Sequence, residues 1–569
     1  MSASRHWISV YDELGLDWLS IPEVPQKTLS DYIEEYARSF RDRVALEYHG
    51  ERYSYGYINQ CANKLAHLWS VQGCHAGDVV GIQMPNTPQY VIALIAAARM
   101  GLVVTSLSPL LTAKETYSQC CDAEINVLFI LDSLYSRIER SVEKNIPTLR
   151  TVILSGMAEM LPGQSGASVP VGDSRITVLQ LKMHLEKPMS DAPVNNKQNN
   201  TTIDTALYLQ YTGGTTGKSK GAELTSRNLF TNNIQANVFY KYRQGMEVVA
   251  SAFPFFHIGG LAVLMNSLRT ASTLLIIPDP RNITHYCQTM KNNPPTVLAN
   301  VPTLYQMLMA EEEFCSLDFS GLRVAISGAA PFPKESINRL EEIIGEGRYC
   351  EVYGMTETSP VQTINPAERF KPGFVGIPLP GTDLRIVDSE NEDIEMPCGE
   401  SGEIVVSGPQ VMRGYQSNLV ETSKVLKTYQ DKVWMHTGDI GYLDEEGYLK
   451  ICDRSKDMLI VGGFKVFSIE VENKLQELPF VEMCAVVGKP DIKRPGNDVV
   501  QVYVQSTKST RFSEPEQTER IVEFCRQNLS PYKVPKEIHF VREMPLTSVG
   551  KIDKKSMRVD QRNTSKITA

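Results

Sequence analysis

A chain of 569 residues, 42% of them hydrophobic, can bury several cores, so at least two domains are expected. Its 57 basic and 66 acidic residues leave a net charge of −9, which argues against a nucleic-acid binder and gives no support for strong attraction to anionic lipid. Eleven cysteines are scattered without a CxxC pair or zinc spacing, the usage of buried reduced thiols in a cytoplasmic protein.

The opening Met-Ser-Ala-Ser-Arg-His-Trp shows no cleavable apolar segment. From residue 43 strand and helix signals alternate. Arg43–Tyr48 and Arg52–Ser54 flank a His-Gly turn, and Ile58, Cys61, Ala62, Leu65, Leu68 and Trp69 then share one helical face. Val79–Met84 reads as a buried strand, Gln89–Met100 as a helix and Val103–Ser106 as the next strand. Val127–Leu131, Thr151–Leu154, Leu274–Ile277, Thr296–Ala299 and Val324–Ile326 continue the series. Strands spaced by helical stretches imply an α/β fold with parallel sheets. The most apolar stretches, Val91–Leu107 and Leu261–Ile277, are interrupted by Arg99 and Arg269 and fall short of a clean membrane span, so a soluble protein is expected. Lys187–Thr202 is a polar connection.

That connection leads into a strand, Ala206–Gln210, and then into Tyr211-Thr-Gly-Gly-Thr-Thr-Gly-Lys-Ser-Lys-Gly221. Glycines let a backbone curl around an anion, freed N–H groups and threonine hydroxyls donate to phosphate oxygens, and lysines supply charge. The string reads as a triphosphate cradle. It is not a Walker A loop, because that pattern needs glycine where Thr212 stands, and Lys220-Gly221 follows where its helix would run.

With its continuation Ala222–Asn228, the string resembles the phosphate loop of the AMP-forming acyl- and aryl-CoA synthetases, luciferases and peptide-synthetase adenylation domains. The usual pattern has serine at Gly213 and proline at Ser219. Gly213-Gly214 looks like the bacterial medium- and long-chain fatty acyl-CoA ligases. Further matches run from about residue 50 to 555. The resemblance implies a large multi-subdomain adenylating domain over 1–453, a hinge at 454–457 around Lys456, and a small mobile α+β domain over 458–569. New strands at Met483–Val487 and Val499–Gln505 and a helix at Glu519–Asn528 fit that last domain.

Four more segments carry chemistry. Glu351-Val-Tyr-Gly-Met-Thr-Glu-Thr358 places an aromatic beside glycine, a flat surface for a purine, next to a hydroxyl and a carboxylate suited to a hard cation. Alone it could be an ordinary strand-to-loop turn. The resemblance assigns Glu351 and Tyr353 to the nucleotide, Thr356 to the α-phosphate, and Glu357 with Thr216 to Mg²⁺. It assigns the phosphates to Thr212, Gly213, Gly214, Thr215, Thr216 and Lys220, with Lys218 at a variable position. Ser327-Gly-Ala-Ala-Pro331 resembles the segment, including Gly328 and Ala329, that lines the other adenine face and part of the acyl pocket.

Trp434-Met-His-Thr-Gly-Asp439 and Arg454 match the family's ribose positions, Asp439 accepting from the two hydroxyls. His257, between aromatics in Pro254–Gly260, is a packed core histidine by itself and an acyl-pocket wall residue by resemblance. Pro545–Lys555 resembles the catalytic-lysine loop, which makes Lys551 the adenylation lysine and leaves Lys554 and Lys555 as solvated surface charges. Gly462-Gly463-Phe464 resembles the turn that lines the CoA pantetheine tunnel.

These matches imply an enzyme that joins a carboxylic acid to ATP and passes the acyl group to CoA. A fatty acid is favoured, with an aromatic or alicyclic acid as the alternative. An acyl-AMP ligase serving a carrier protein usually carries an insertion before the hinge, and only a short loop is read between Glu357 and Gly376. A luciferase-like oxidation is disfavoured by the closer match to bacterial ligases. A nucleotide-binding pseudoenzyme would have lost Lys551, Glu357 or Asp439, and all three are present. Peripheral membrane contact and a homodimer stay open.

Overall fold

Two large sheets with parallel centres carry most of the chain, as the alternating pattern requires. The computed structural model describes residues 5–167, 176–187, 201–212, 219–491, 494–546 and 552–558. The chain divides into two compact units. One comprises Trp7–Asp383 and Ser407–Met435, and the other comprises Arg5 and His6, Leu384–Val406 and the described residues from His436 onward.

In the first unit, a nine-stranded sheet has the order Ile377–Pro378, Val361–Asn365, Tyr349–Gly354, Val324–Gly328, Val297–Asn300, Val248–Ser251, Thr273–Ile276, Val44–Tyr48, Glu51–Ser54. Its central strands are parallel, while both ends turn antiparallel. The segment between Glu357 and Gly376, read as a short loop, contains one of these strands, Val361–Asn365, which is wholly buried. An eight-stranded sheet runs Gly414–Tyr415, Lys220–Thr225, Ala206–Thr212, Val103–Ser106, Val79–Gln83, Val127–Leu131, Thr151–Ser155, Thr177–Gln180.

The helix Pro88–Met100 shows how the apolar stretches are used. Thr87 caps its start, proline takes the first position, and Gly101 ends it in the left-handed conformation. Every residue of it is buried. Even Arg99 is, with its guanidinium bonded to Ser30 Oγ, Asn59 O and Oδ1, and Asn63 Oδ1. A buried charge needs such a set of partners, so this is a core helix. Among the described residues, no helix is long and apolar enough to cross a membrane.

In the second unit, Val481–Pro490, Asp498–Ser506 and Glu537–Phe540 form a three-stranded sheet. Val486, Val502 and Val504 share a core with Val471 and Leu475 of the helix Ser468–Leu475 and with Ile521 and Cys525 of Glu514–Asn528. Seven of the eleven cysteines are buried, and Cys315 and Cys398 are exposed.

Packing at the ends of the first sheet is tight enough to demand glycine. A Cβ on Gly354 would lie 1.8 Å from the backbone oxygen of Pro360. Gly354→Ala is therefore expected to destabilise the protein by about 3 kcal/mol, the upper end for overpacking. Gly321, with nothing within 4 Å of its virtual Cβ, is the control. Equal thermal midpoints for Gly354→Ala and Gly321→Ala would contradict the close approach.

Candidate active site

The strands Val248–Ser251, Val324–Gly328 and Tyr349–Gly354 belong to one parallel run, so their carboxyl ends open on the same edge of the sheet. Ligands of open α/β sheets gather at that edge. His257, Gly328 with Ala329, and Tyr353 to Glu357 all follow or end these strands. The topology thus brings together segments far apart in sequence.

Each is held by identifiable contacts. His257 caps the helix Ile258–Arg269, its Nδ1 accepting from Gly259 N at 3.2 Å. The loop before it is fixed by Asn86, which donates to Phe253 O and accepts from Phe255 N. Gln210 Nε2 donates to Phe256 O at 3.0 Å and so ties that loop to the Ala206–Thr212 strand. Gly328 packs on the next strand so closely that a Cβ would meet Val352 Cγ2 at 2.8 Å. Ala329 follows with φ of 73°, a left-handed conformation that costs a non-glycine residue energy and recurs at ligand sites.

Glu351 pairs with Ser327 on one side and Asn365 on the other, and burial pushes its carboxyl up to about 8. It is protonated at neutral pH. The fold then keeps a proton that the unfolded chain has released, so this group's contribution to stability falls as pH rises from about 4.5 through about 8. Glu351→Gln mimics the neutral acid and should lose less stability than the parent between about pH 5.5 and about pH 7, each on the order of one unit inside that window. Thermal midpoints at the two pH values decide it, and superimposable profiles would place the proton elsewhere.

The phosphate segment departs from a P-loop in form. Ala206–Thr212 is followed by an antiparallel strand, Lys220–Thr225, with Thr212 opposite Lys220. The helix Ser226–Tyr240 begins only afterwards, under a capping box of Thr225 and Asn228. The cradle residues Gly213, Gly214, Thr215, Thr216 and Lys218 lie outside the described residues. At its base, Ser219 Oγ donates to Thr212 O at 2.5 Å.

A third strand, Gly414–Tyr415, pairs with Lys220–Thr225 and introduces a residue that motif matching missed. The Tyr415 hydroxyl donates to Glu357 Oε1 at 2.7 Å, while Lys220 Nζ lies 5.0 Å from the Tyr415 ring centroid. Met412 N also donates to Glu357 O. Burial and the Glu357 carboxylate together hold the Tyr415 phenol well above its ordinary range. Lys220 also pairs with Glu421, whose carboxyl is held down to about 2 by hydrogen bonds from Lys220 and Lys424. Glu357 is buried, and its two hard oxygens suit an oxygen-seeking divalent cation.

In the second unit, Asp439 and Arg454 are antiparallel register partners, and Arg454 Nε lies 3.1 Å from Asp439 Oδ1. Asp439 is buried, and its own N–H donates to Thr437 Oγ1. Lys456 is exposed two residues further on. Gly462 and Gly463, with φ of 61° and 83°, close the Leu459–Val461/Phe464–Val466 hairpin, the two-residue turn that favours glycine at both positions. Phe464 is exposed and stacks on Tyr532 at 4.6 Å. Lys551 lies outside the described residues. Lys554, expected in solvent, is instead largely buried between Ser468 and Glu472, while Lys555 is exposed.

The fold and the motif-bearing strand ends define an adenylate-forming enzyme. The AMP-binding enzyme family matches residues 33–416, and the AMP-binding enzyme C-terminal domain matches residues 470–551. A long-chain-fatty-acid–CoA ligase of Bacillus subtilis is 33% identical over 97% of each chain. One of Yersinia pestis is 34% identical over 94% of each. The crystal structure of ATP-bound MatB from Rhodopseudomonas palustris superposes with a TM-score of 0.79 at 26% identity, covering 95% of this chain and all of that one.

The chain belongs to the AMP-binding enzyme family. Within it, this protein is an AMP-forming acyl-CoA synthetase: it uses ATP to convert a carboxylic acid to acyl-AMP and pyrophosphate, then makes the CoA thioester and releases AMP.

Proposed function

We propose that the acid is a fatty acid of medium to long chain. The observation that carries this reading is near-full-length similarity, at 33–34% identity, to relatives named as long-chain-fatty-acid–CoA ligases. Gly213-Gly214 in the phosphate string supports it. The site roles follow the motif matches. Thr212, Lys220 and the 213–216 cradle bind the triphosphate, Tyr353 with Gly328 and Ala329 encloses the adenine, and Asp439 with Arg454 holds the ribose. Thr356 bonds the α-phosphate, and His257 with Gly328 borders the acyl group.

Glu357 and Thr216 would hold Mg²⁺, which when bound neutralises charge on the triphosphate. An oxygen of the acid attacks the α-phosphorus, and the bond to pyrophosphate breaks. Lys551 stabilises the charge that builds up on those oxygens. The CoA thiolate then attacks the acyl carbon, and AMP leaves. A turn about Lys456 exchanges Lys551 for the Gly462-Gly463-Phe464 hairpin between the two steps. The reactants are those of cytoplasmic chemistry.

ATP–pyrophosphate exchange over a panel of acids, followed by a thioester assay with CoA, tests the reading. The expected result is a preference for fatty acids of roughly eight carbons or more, since each buried methylene adds about 0.8 kcal/mol of binding. A preference for aromatic acids, or thioester formation only on a carrier protein, would sink it.

A further inference from the structure

The cluster around Lys554 has no place in the reaction as described, yet it is among the most constrained polar groups of the second unit. Lys554 Nζ donates to Ser468 Oγ at 2.8 Å and lies 2.7 Å from Glu472 Oε1. Both side chains are about 85% buried. Glu472 Oε1 also accepts from Val486 N at 2.6 Å, which fixes the carboxylate against the three-stranded sheet. Ser468 Oγ donates onward to Asp453 Oδ1 at 3.0 Å, and the Ser468 N–H donates to Asp453 Oδ2. Asp453 is 1% exposed.

Burying a lysine is expensive, and an ion pair of this kind adds little net stability over apolar packing. Its best-attested use is to fix register. What it fixes here is the base of the catalytic-lysine loop. Leu546 and Ile552 form an antiparallel bridge, and Asp553 N donates to Pro545 O at 2.8 Å, so the described residues on the two sides of 547–551 are joined to each other. The same segment is held beyond Lys554. Met557 is buried with Ala485, Val487 and Met544, and Arg558 Nη2 pairs with Asp457 Oδ1 at 2.5 Å. Lys554 stands three residues from Lys551, a reach of at most about 10 Å, so a shift of its anchor is passed along the chain to Lys551.

We infer that Lys554, held by Glu472, Ser468 and Asp453, is a positioning residue for Lys551 in the adenylate-forming step. The inference rests on the reading of Lys551 as the adenylation lysine. A positioning role acts through Lys551 and not on the nucleotide directly. Loss of the anchor therefore lowers the rate of adenylate formation, leaves ground-state binding alone, and spares the thioester step.

The test uses the full-length enzyme and measures two half-reactions, adenylate formation and conversion of synthetic acyl-AMP plus CoA to thioester. Lys554→Met should lower kcat for adenylation about 10- to 100-fold, within the range for misplaced catalytic groups. KM for ATP and for acid should stay within about twofold, and so should the thioester rate. Lys554→Arg should recover most of the loss. Lys551→Ala/Lys554→Met should be no slower than Lys551→Ala alone, since residues acting as a unit are non-additive.

If Lys554→Met does not fold, Glu472→Gln takes its place. It keeps the oxygen for Val486 N, removes the charge opposite Lys554, and should slow adenylation selectively. Parent-like adenylation in either folded variant would overturn the inference, as would an equal loss in both half-reactions. A Lys551→Ala enzyme with full adenylation activity would instead remove the reading of Lys551 beneath it.

Discussion

Replacing Lys551 by alanine is expected to abolish adenylate formation while leaving the enzyme able to make thioester from supplied acyl-AMP and CoA. A lysine aimed at oxygens that gain charge in the transition state is a preorganised donor. Removing one such donor costs on the order of 10²–10³ in rate. Because the second half-reaction attacks a carbonyl already activated by AMP, it does not use that charge. Gly463→Leu should do the reverse. Gly463 has φ of 83° in an exposed hairpin turn, and nothing lies within 4 Å of its virtual Cβ. A side chain there starts into open space, and its cost to the fold is chiefly the left-handed backbone, about 1–2 kcal/mol at the turn. Its effect is confined to whatever must pass the turn, which is CoA in the reading above. Pyrophosphate exchange and single-turnover thioester assays on each variant separate the outcomes. If both folded variants lost both half-reactions equally, the two-conformation reading would be wrong.

Local periodicity carried much of this architecture. The face of Ile58, Cys61, Ala62, Leu65, Leu68 and Trp69 is buried in the helix Tyr55–Val71, and the strands Val103–Ser106 and Val127–Leu131 have the limits their apolar runs suggest. The segments that motif matching chose were also legible as segments. Tyr353 to Glu357 and Gly328 with Ala329 lie at carboxyl ends of parallel strands, where α/β sites form.

What stayed hidden depended on pairing across the chain. Lys220–Thr225 is a strand because Ala206–Thr212 and Gly414–Tyr415 flank it, and its own Lys-Gly-Ala-Glu-Leu-Thr has no clear strand period. Val361–Asn365 was lost in the same way, because it is an antiparallel addition near a sheet edge and its composition is mixed. Tyr415 reaches Glu357 only once those strands assemble. For Lys554 a local signal did exist. It stands three residues before the buried Met557 and so shares a helical face with it, whereas Lys555 faces away. Two adjacent lysines look alike in composition and differ in phase.

The last expectation concerns the metal. Glu357 supplies a buried carboxylate with Oε1 already engaged by the Tyr415 hydroxyl, and the neighbouring Lys220 is drawn towards Glu421 and the Tyr415 ring. An amide at position 357 would keep the shape and the hydrogen bond from Tyr415 but lose the charge that a divalent cation needs. Glu357→Gln is therefore expected to fold normally and to lose on the order of 10²-fold in adenylation rate, with the Mg²⁺ concentration needed for half-maximal rate rising at least about tenfold. The parent should lose activity with EDTA and regain it with Mg²⁺ or Mn²⁺, hard cations that accept oxygen donors, and not with a soft thiophilic ion. Tyr415→Phe offers a graded version of the same experiment. It keeps the carboxylate and removes only the hydrogen bond from Tyr415 to Oε1, which should shift the Mg²⁺ requirement less than Glu357→Gln does. A Glu357→Gln enzyme with the parent's Mg²⁺ dependence would show that the cation is held by other groups and that Glu357, with Tyr415 behind it, serves only the packing of that strand end.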